Sequence, residues 1–573
     1  MVKPLVCFLI LAKLPFSALA QFPAGPVGYV TVPTTANKYQ AYANPLGAVS
    51  NVFGVSAPNL LSRVLNLPET ASPSRLLLWT GTNYDTNSPS WTFPAGWSPD
   101  EMFPPGQGGM LRLPLSTSIT VGGEILTGIL TNAFPPGYAL RSSIVPQSGT
   151  VDLLGLSATL QPGDGVLRWD VSAQRWNAFL YRGDLGNWNP SVPSLNVAES
   201  CFIVSSNGGL WIRSFSAIES TILGSSEGLP TERRGTSPNS GHKVNPSAKN
   251  SIATEKKSES ALRHATPEIW SAAGSKVANV KSSATGGSGY VIFANCFGPL
   301  RAPISDAFGR PLGGTGYQAA IQCSSDGIHW PSPVGPGVGI DFDASSVGPG
   351  YFFGGTYDLP VTGPTWLRLL VWKAGVEWEF SQSLYGGRGA SPAVWVDVPS
   401  GAGDSPVPPP ILGGLQGFNL RNLTGSVPML LSPVRHVTTS PGQTVTLAVS
   451  ASGDPPLDYF WQLNGTNIPG LNTASLIIPA VDSSRVGSYS VIICNLARCI
   501  TNSVGVLSTL ALRTNATLQL EGPTGRCYQI ESSDDLGSPT NWTVLTNIVL
   551  ETSPRLVTDP VPSLHRFYRA FPR

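Results

Sequence analysis

The chain has 573 residues, 62 of them glycine and 53 proline; only 12% are charged, and the net charge is +1. That length calls for several cores of roughly 100–200 residues each, and so much glycine and proline excludes long helices and favours short strands joined by turns. A weakly charged, near-neutral chain has no field to draw in nucleic acid or an acidic surface, so both partners are disfavoured.

Residues 1–20 read as a signal peptide. Lys3 supplies the positive start, "LVCFLILAKLPFSALA" an apolar run, and Ala18-Leu19-Ala20 a small-x-small cleavage site. Lys13 and Pro15 interrupt the run, which is short of the ~20 apolar residues of a membrane span. No transmembrane segment is expected once the signal is removed. Export would make the six remaining cysteines candidates for disulfides.

Residues 27–218 carry an internal repeat. "LLLWTG" returns as "VLRWDV", "GWSPD" as "NWNPS", and "PGQGGMLRLP" as "VAESCFIVSS". Trp79 maps to Trp169 and Trp97 to Trp188, at offsets of 90 and 91. Short apolar runs bounded by Pro and Gly read as strands. The expectation is two copies of one β module, 27–120 and 121–218.

Residues 219–285 are polar and aperiodic, and read as a disordered linker. Residues 286–400 return to β character: "GYVIFANC" reads as a strand, and Val376, Trp378 and Phe380 alternate with Glu377 and Glu379 as in a strand with one buried face. Residues 401–427, opening "GAGDSPVPPPILGGLQG", read as a Pro/Gly-rich spacer. Residues 513–573 read as a C-terminal β domain.

Residues 428–512 resemble the immunoglobulin superfamily, of I-set type. "GQTVTLAVSASGDPP" fits its strand B, "YFWQLNGTNI" its strand C with Trp461 as core tryptophan, and "ASLIIPAVDSSRVGSYSV" strands E and F with Tyr489 in the tyrosine-corner position. The resemblance implies that the two bridging cysteines fall on Val449 and Val491, where β-branched packing would replace the bridge. Cys494 and Cys499 flank the turn "NLAR" and are candidates for a cross-strand bridge, although so local a loop gains little entropy. Cys296 and Cys323 fall in one module and are a second candidate pair. The paired repeat, the 286–400 module and the tail, with Tyr528, Trp542, Phe567 and Tyr568, resemble uncharacterised modules of large exported β-rich proteins of Gram-negative environmental bacteria. That resemblance implies a secreted modular protein and no activity.

Chemistry-bearing patterns are sparse. The histidines, 242, 264, 329, 436 and 565, form no i, i+4 pair. Gly224–Gly228 matches a nucleophile elbow, but no helix-forming run follows. Glu377 and Glu379 could do acid/base work on a sugar, or simply be the wet face of a sheet. Asp341 and Asp343 supply too few oxygens for a calcium site alone, and the cysteines lack zinc spacing. No catalytic residue, cofactor or metal is expected. Trp97 and Trp188, each followed by a polar residue and Pro, are either exposed platforms for a ligand such as a sugar ring or pins of the module core.

The expectation is therefore an all-β chain of small sandwich or barrel-like domains in series with flexible linkers. Its function would be that of a secreted or cell-surface, non-enzymatic binding or adhesion protein, exported to the medium, the outer surface or the periplasm, whose partner is an unidentified surface polysaccharide or protein. The competing readings are an accessory or catalytic protein of extracellular polysaccharide degradation, and a structural spacer of the cell surface.

Overall fold

The computed structural model describes residues 27–48, 58–183, 187–215, 289–331, 337–342, 347–378, 387–400, 406–421, 425–514, 517–534, 542–560 and 566–573. The signal-peptide and linker expectations, with His242, His264, His565, Asp343, Glu379, Phe380 and Gly224–Gly228, lie outside them. The described chain is nearly all β, built from many small sheets, and none of those sheets closes into a barrel.

The repeat region forms two units with one strand plan. In the first, Val27–Pro33 pairs antiparallel with Ser118–Glu124. Between them a five-stranded sheet runs in the order Tyr39–Ala43, Gly108–Arg112, Ser74–Leu78, Ser90–Thr92, Gly96–Ser98. In the second, Gly128–Phe134 pairs with Gly209–Phe215. Its five strands follow the same order: Gly137–Arg141, Cys201–Ser205, Gly165–Asp170, Arg175–Tyr181, Trp188–Asn189. The boundary expected at 120/121 falls inside the strand Ser118–Glu124, because that strand closes the first unit on Val27–Pro33.

The two units interlock reciprocally. The Trp79 indole of the first donates to the Tyr138 carbonyl of the second (3.0 Å), and the Trp169 indole of the second donates to the Tyr39 carbonyl of the first (2.7 Å). Likewise Tyr42 bridges Glu199 while Arg141 bridges Gln107. Equivalent positions exchange equivalent contacts, so the units are related by an approximate two-fold axis.

The next module pairs Gly289–Ala294 with Phe353–Leu359 and builds a second sheet around the long strand Gly363–Lys373, flanked by Tyr317–Ser324, Arg388–Ala390 and Val394–Val398. The strand expected over 376–380 is not formed by its described part. Gly363–Lys373 ends in a turn, with Gly375 at φ +83° and the Trp372 indole donating to the Val376 carbonyl (2.8 Å). A positive φ is a backbone state that glycine reaches without steric cost, so the alternation after it belongs to a turn.

A single core joins this module to the repeat pair. Leu77, Met110, Leu140, Leu167, Trp176 and Phe202 from the repeats pack with Tyr290, Ile292, Phe297 and Phe353. The proline-rich stretch expected to be a spacer is instead packed between them over Pro406–Leu412, with Pro406, Pro408, Pro409 and Leu412 buried. Its carbonyls find donors on both sides, which a solvated spacer would not need.

The immunoglobulin-like sandwich, expected over 428–512, begins with Met429–Leu430 paired to Ala451–Ser452 and runs to Thr514. One sheet runs Thr466–Asn467, Asp458–Leu463, Gly487–Cys494, Cys499–Thr514, with Val437–Thr439 parallel to the last; the other pairs Val445–Ala448 with Ser475–Ile478. Val449, Trp461, Tyr489 and Val491 share one core. The Trp461 indole donates to the Thr473 carbonyl (2.8 Å), and the Tyr489 hydroxyl donates to the Arg485 carbonyl (2.7 Å). The strand Cys499–Thr514 continues past the expected 512/513 boundary and pairs with Thr517–Glu521, which pairs with Arg555–Thr558. The sandwich and the C-terminal domain thus share a strand. A three-stranded sheet, Thr543–Val549, Cys527–Ser533, Phe567–Pro572, completes that last domain over a core containing Tyr528 and Ile530.

Cys494 and Cys499 are bonded (S–S 2.08 Å) across the hairpin. Cys296 and Cys323 are not joined to each other: Cys296 is a buried thiol donating to the Phe352 carbonyl (3.4 Å), and burial pushes the Cys323 thiol up to about 12. The bridge lies where the sandwich meets the preceding module, in a cluster of Trp366, Phe460, Ile492 and Cys494. Replacing both Cys494 and Cys499 by serine should cost about 2 kcal/mol, the loop-closure value for so short a ring. Urea unfolding measures it, and a cost near zero would mean that the hairpin holds its turn unaided.

Candidate functional site

A recess of about 750 Å3 opens between the two repeat units. Strand alternation explains its wall. On Gly165–Asp170 the side chains of Leu167 and Trp169 go into the shared core, so Arg168 and Asp170 point the opposite way. On Arg175–Tyr181, Trp176 and Ala178 go inward and leave Asn177 and Phe179 on the recess side, Asn177 directly opposite Arg168. The first unit contributes Thr31–Pro33, Thr35 and Gln40.

Arg168 and Glu199 form a side-on ion pair, Nε to Oε1 at 2.8 Å and Nη2 to Oε2 at 3.3 Å. Asn196 fixes the same carboxylate through its N–H (2.9 Å) and its amide (2.7 Å). Arg168 Nη1 makes no hydrogen bond to the described residues. Asp170 Oδ1 accepts from the Ser172 N–H (2.8 Å) and hydroxyl (2.6 Å) and from the Ala173 N–H (3.0 Å). Burial alone would raise the Asp170 carboxyl, but those bonds and the charge on Arg168 outweigh it and hold it below the ordinary 3.8. Asp170 Oδ2 and the Asn177 amide take no hydrogen bond from the described residues. The Lys38 ammonium donates to the Ser172 carbonyl (2.9 Å), so two cations and two carboxylates surround the recess and nearly cancel.

The residues singled out from sequence lie elsewhere. Trp97 and Trp188 are core residues, 6% and 5% exposed. Their indoles donate inward, to the Leu65 carbonyl (2.7 Å) and the Asp152 carboxylate (2.9 Å). They pin the modules and cannot serve as platforms. Glu377 is an exposed turn residue, and Asp341 sits beside the buried Phe342. His329 pairs with Asp326 (2.6 Å) on an exposed turn, and His436 Nδ1 accepts from the Val506 N–H (3.1 Å); neither lines the recess. Among the described residues no cluster of three or more His, Cys, Asp or Glu side chains could hold a metal, and no helix is long and apolar enough to cross a membrane.

Sequence reasoning missed Arg168, Asp170, Asn177 and Glu199, although a signal was present. Aligning "VLRWDV" on "LLLWTG" sets Arg168 on Leu78 and Asp170 on Thr80. Leu78 is buried in the first unit's own core, so the two copies differ in chemistry at this wall.

No family model matches the chain. Among solved structures it is similar to titin domain M7 (24% identical, 15% of this chain and 96% of that chain, TM-score 0.14), to titin domain M3 (23%, 15% and 97%, 0.14) and to the tandem Ig repeats of Dlar (12%, 39% and 97%, 0.14). The immunoglobulin-like assignment of residues 429–514 rests on the strand pairings and the core described above.

Proposed function

We propose that this is an exported, non-enzymatic binding protein whose inter-unit recess takes a neutral, hydroxyl-rich ligand, a saccharide of a cell surface or matrix. The carrying observation is the set of unused polar groups, Arg168 Nη1, Asp170 Oδ2 and the Asn177 amide, beside the half-buried Phe179 ring. Vicinal hydroxyls need one donor and one acceptor at neighbouring positions, and a sugar's apolar face needs a ring. Balanced charge disfavours an ionic ligand. Acid/base chemistry wants one carboxyl raised and one lowered; Asp170 is lowered and Glu199 is tied to Arg168 and Asn196. The Cys494–Cys499 bridge supports export to an oxidising space.

A glycan array with the full chain, followed by titration of the best neutral glycan, tests the proposal. Arg168→Ala and Asp170→Asn should each weaken binding by about 10- to 100-fold, as losing a hydrogen bond to a charged group of ~1.5–3 kcal/mol implies, and Asn177→Ala by roughly 3- to 10-fold, as losing a neutral one implies. Asn177→Ala should leave the melting temperature unchanged, whereas Arg168→Ala should lower it by stranding Glu199. Because the Asp170 carboxyl sits below 3.8, it stays an ionised acceptor as pH falls from neutrality to about 5, so affinity should be flat over that range and drop only in more acid solution. An array without neutral-glycan binding would sink the idea.

A structural role is the second reading, favoured by the strand Cys499–Thr514 that two domains share and by the core common to the repeats and the module after them. It predicts an array with no ligand and a stiff particle in small-angle scattering.

A further inference from the structure

The proline-rich stretch is held as a ligand is held. Val407, Pro408 and Pro409 each precede a proline, which biases them toward extended polyproline II geometry, and the prolines fix their own φ. No cis peptide bond occurs in Pro406–Ile411. Such a segment makes no internal hydrogen bonds and presents its carbonyls outward. Here four of the five from Pro406 to Pro410 are taken. The Pro406 carbonyl accepts from the Tyr84 hydroxyl (3.0 Å) and the Trp176 indole (2.7 Å). Val407 accepts from the Tyr290 hydroxyl (2.8 Å), Pro409 from the Tyr138 hydroxyl (2.8 Å) and Pro410 from the Ile292 N–H (2.9 Å). Tyr138 in turn accepts from the Ile411 N–H (3.1 Å).

The placement follows the repeat symmetry. Tyr84 bridges Trp79 in the first unit as Trp176 pairs with Trp169 in the second. Tyr84 and Trp176 are thus equivalent, and both donate to one carbonyl, which places Pro406 on the approximate two-fold axis. The rings there form a continuous wall: Trp79 to Tyr84 at 5.1 Å, Trp79 to Phe202 at 4.9 Å, Trp176 to Phe202 at 4.8 Å and Tyr138 to Phe202 at 5.9 Å. Aromatic rings with a polar tip, facing prolines and reading carbonyls, are the chemistry by which polyproline II segments are bound.

We propose that the paired repeat is a receptor for a trans-proline peptide, recognised on its two-fold axis, and that Pro406–Ile411 of the next module is its ligand in cis. The site is distinct from the recess at Arg168, and recognition of this kind does not require the two parts to be joined by residues 216–288.

The test uses the full chain with a protease site introduced within 216–288. After cleavage the two pieces of the wild type should co-elute in gel filtration at about micromolar concentration. Tyr84→Phe with Trp176→Phe, which deletes both donors to Pro406, should weaken their association by roughly 10- to 100-fold, about two hydrogen bonds' worth. Changing Pro408, Pro409 and Pro410 to glycine should weaken it similarly, and a synthetic SPVPPPIL peptide should bind that variant while a peptide with glycines at the same places should not. Should the glycine variant fail to fold, as judged by circular dichroism, the Tyr84/Trp176 variant carries the test. Pieces that part on cleavage, variants that associate as tightly as wild type, or a glycine variant indifferent to the proline peptide would each overturn the proposal.

Discussion

Replacing Trp461 by alanine should destabilise the immunoglobulin-like domain by about 3–5 kcal/mol, the cost of emptying a fully buried indole site. Trp461 is 0% exposed and packs with Val449, Tyr489 and Val491. Its neighbours are the two valines that occupy the bridge positions, so no covalent link between the sheets remains to limit the damage; the one disulfide here closes only a hairpin. Each buried valine contributes roughly 1.5–3 kcal/mol, a contribution that depends on contact with the indole. A loss of this size is a large share of the ~5–15 kcal/mol that a domain has. The effect should also spread. The strand Cys499–Thr514 feeds both cores, with Leu507 in the first and Leu510 packed against the second. Hydrogen exchange should therefore show lost protection in Thr517–Glu521 as well as in Gly487–Cys494. Trp461→Phe, which keeps most of the packing but drops the bond to Thr473, should cost about 1–2 kcal/mol less than alanine. A loss under about 1 kcal/mol for alanine, or exchange confined to the sandwich, would contradict the account.

What could be read from sequence and what could not divides by range. Trp461, Tyr489 and the two valines are legible because strand spacing is local: period-two alternation and a tyrosine two residues after Gly487 suffice to place them. The repeat is legible because both copies keep the tryptophans that cross between units. Residues 376–378 mislead because Val–Glu–Trp alternation looks like a strand when Gly375 before it is overlooked. Trp97 and Trp188 take the second of their two readings, as pins of the module cores, and the sequence left the choice open. A Trp-polar-Pro turn says where the backbone bends, and nothing in it says that the indole will find an inward acceptor. The recess depends on strands that the fold brings together from residues 31–40, 168–179 and 196–199, and no local pattern encodes that. The proline segment is the extreme case. Its composition is that of a spacer, and only its distant donors at Tyr84, Tyr138 and Trp176 make it part of a core.

Asp164→Ala should damage the repeat pair about as much as emptying a buried indole site, lowering stability by about 4 kcal/mol and loosening the junction with the next module. The residue is 1% exposed, and its carboxylate is solvated by protein donors alone. Oδ2 accepts from the Gln161 N–H (2.9 Å) and the Ser205 hydroxyl (3.1 Å); Oδ1 accepts from the Ser206 N–H (2.8 Å) and hydroxyl (3.0 Å). Hydrogen bonds to a charged group are worth about 1.5–3 kcal/mol each, and a buried N–H left without an acceptor costs about 1–3. The two hydroxyls can turn to other acceptors, whereas the two backbone N–H groups cannot, and that sets the figure. The turn that Asp164 holds is also the contact surface: the Gly163 carbonyl accepts from the Gly298 N–H (2.8 Å), and Arg301 donates to the Pro162 carbonyl (3.0 Å). Asp164→Asn separates charge from shape. An amide can serve only one of the two N–H groups and must turn its own NH2 toward the other, so asparagine should recover less than half of the loss. Urea unfolding of both variants, with limited proteolysis at the 298–301 turn, reads the two effects. An asparagine variant as stable as wild type would show that four donors converging on two oxygens do not require a carboxylate, and the argument from donor geometry would fail with it.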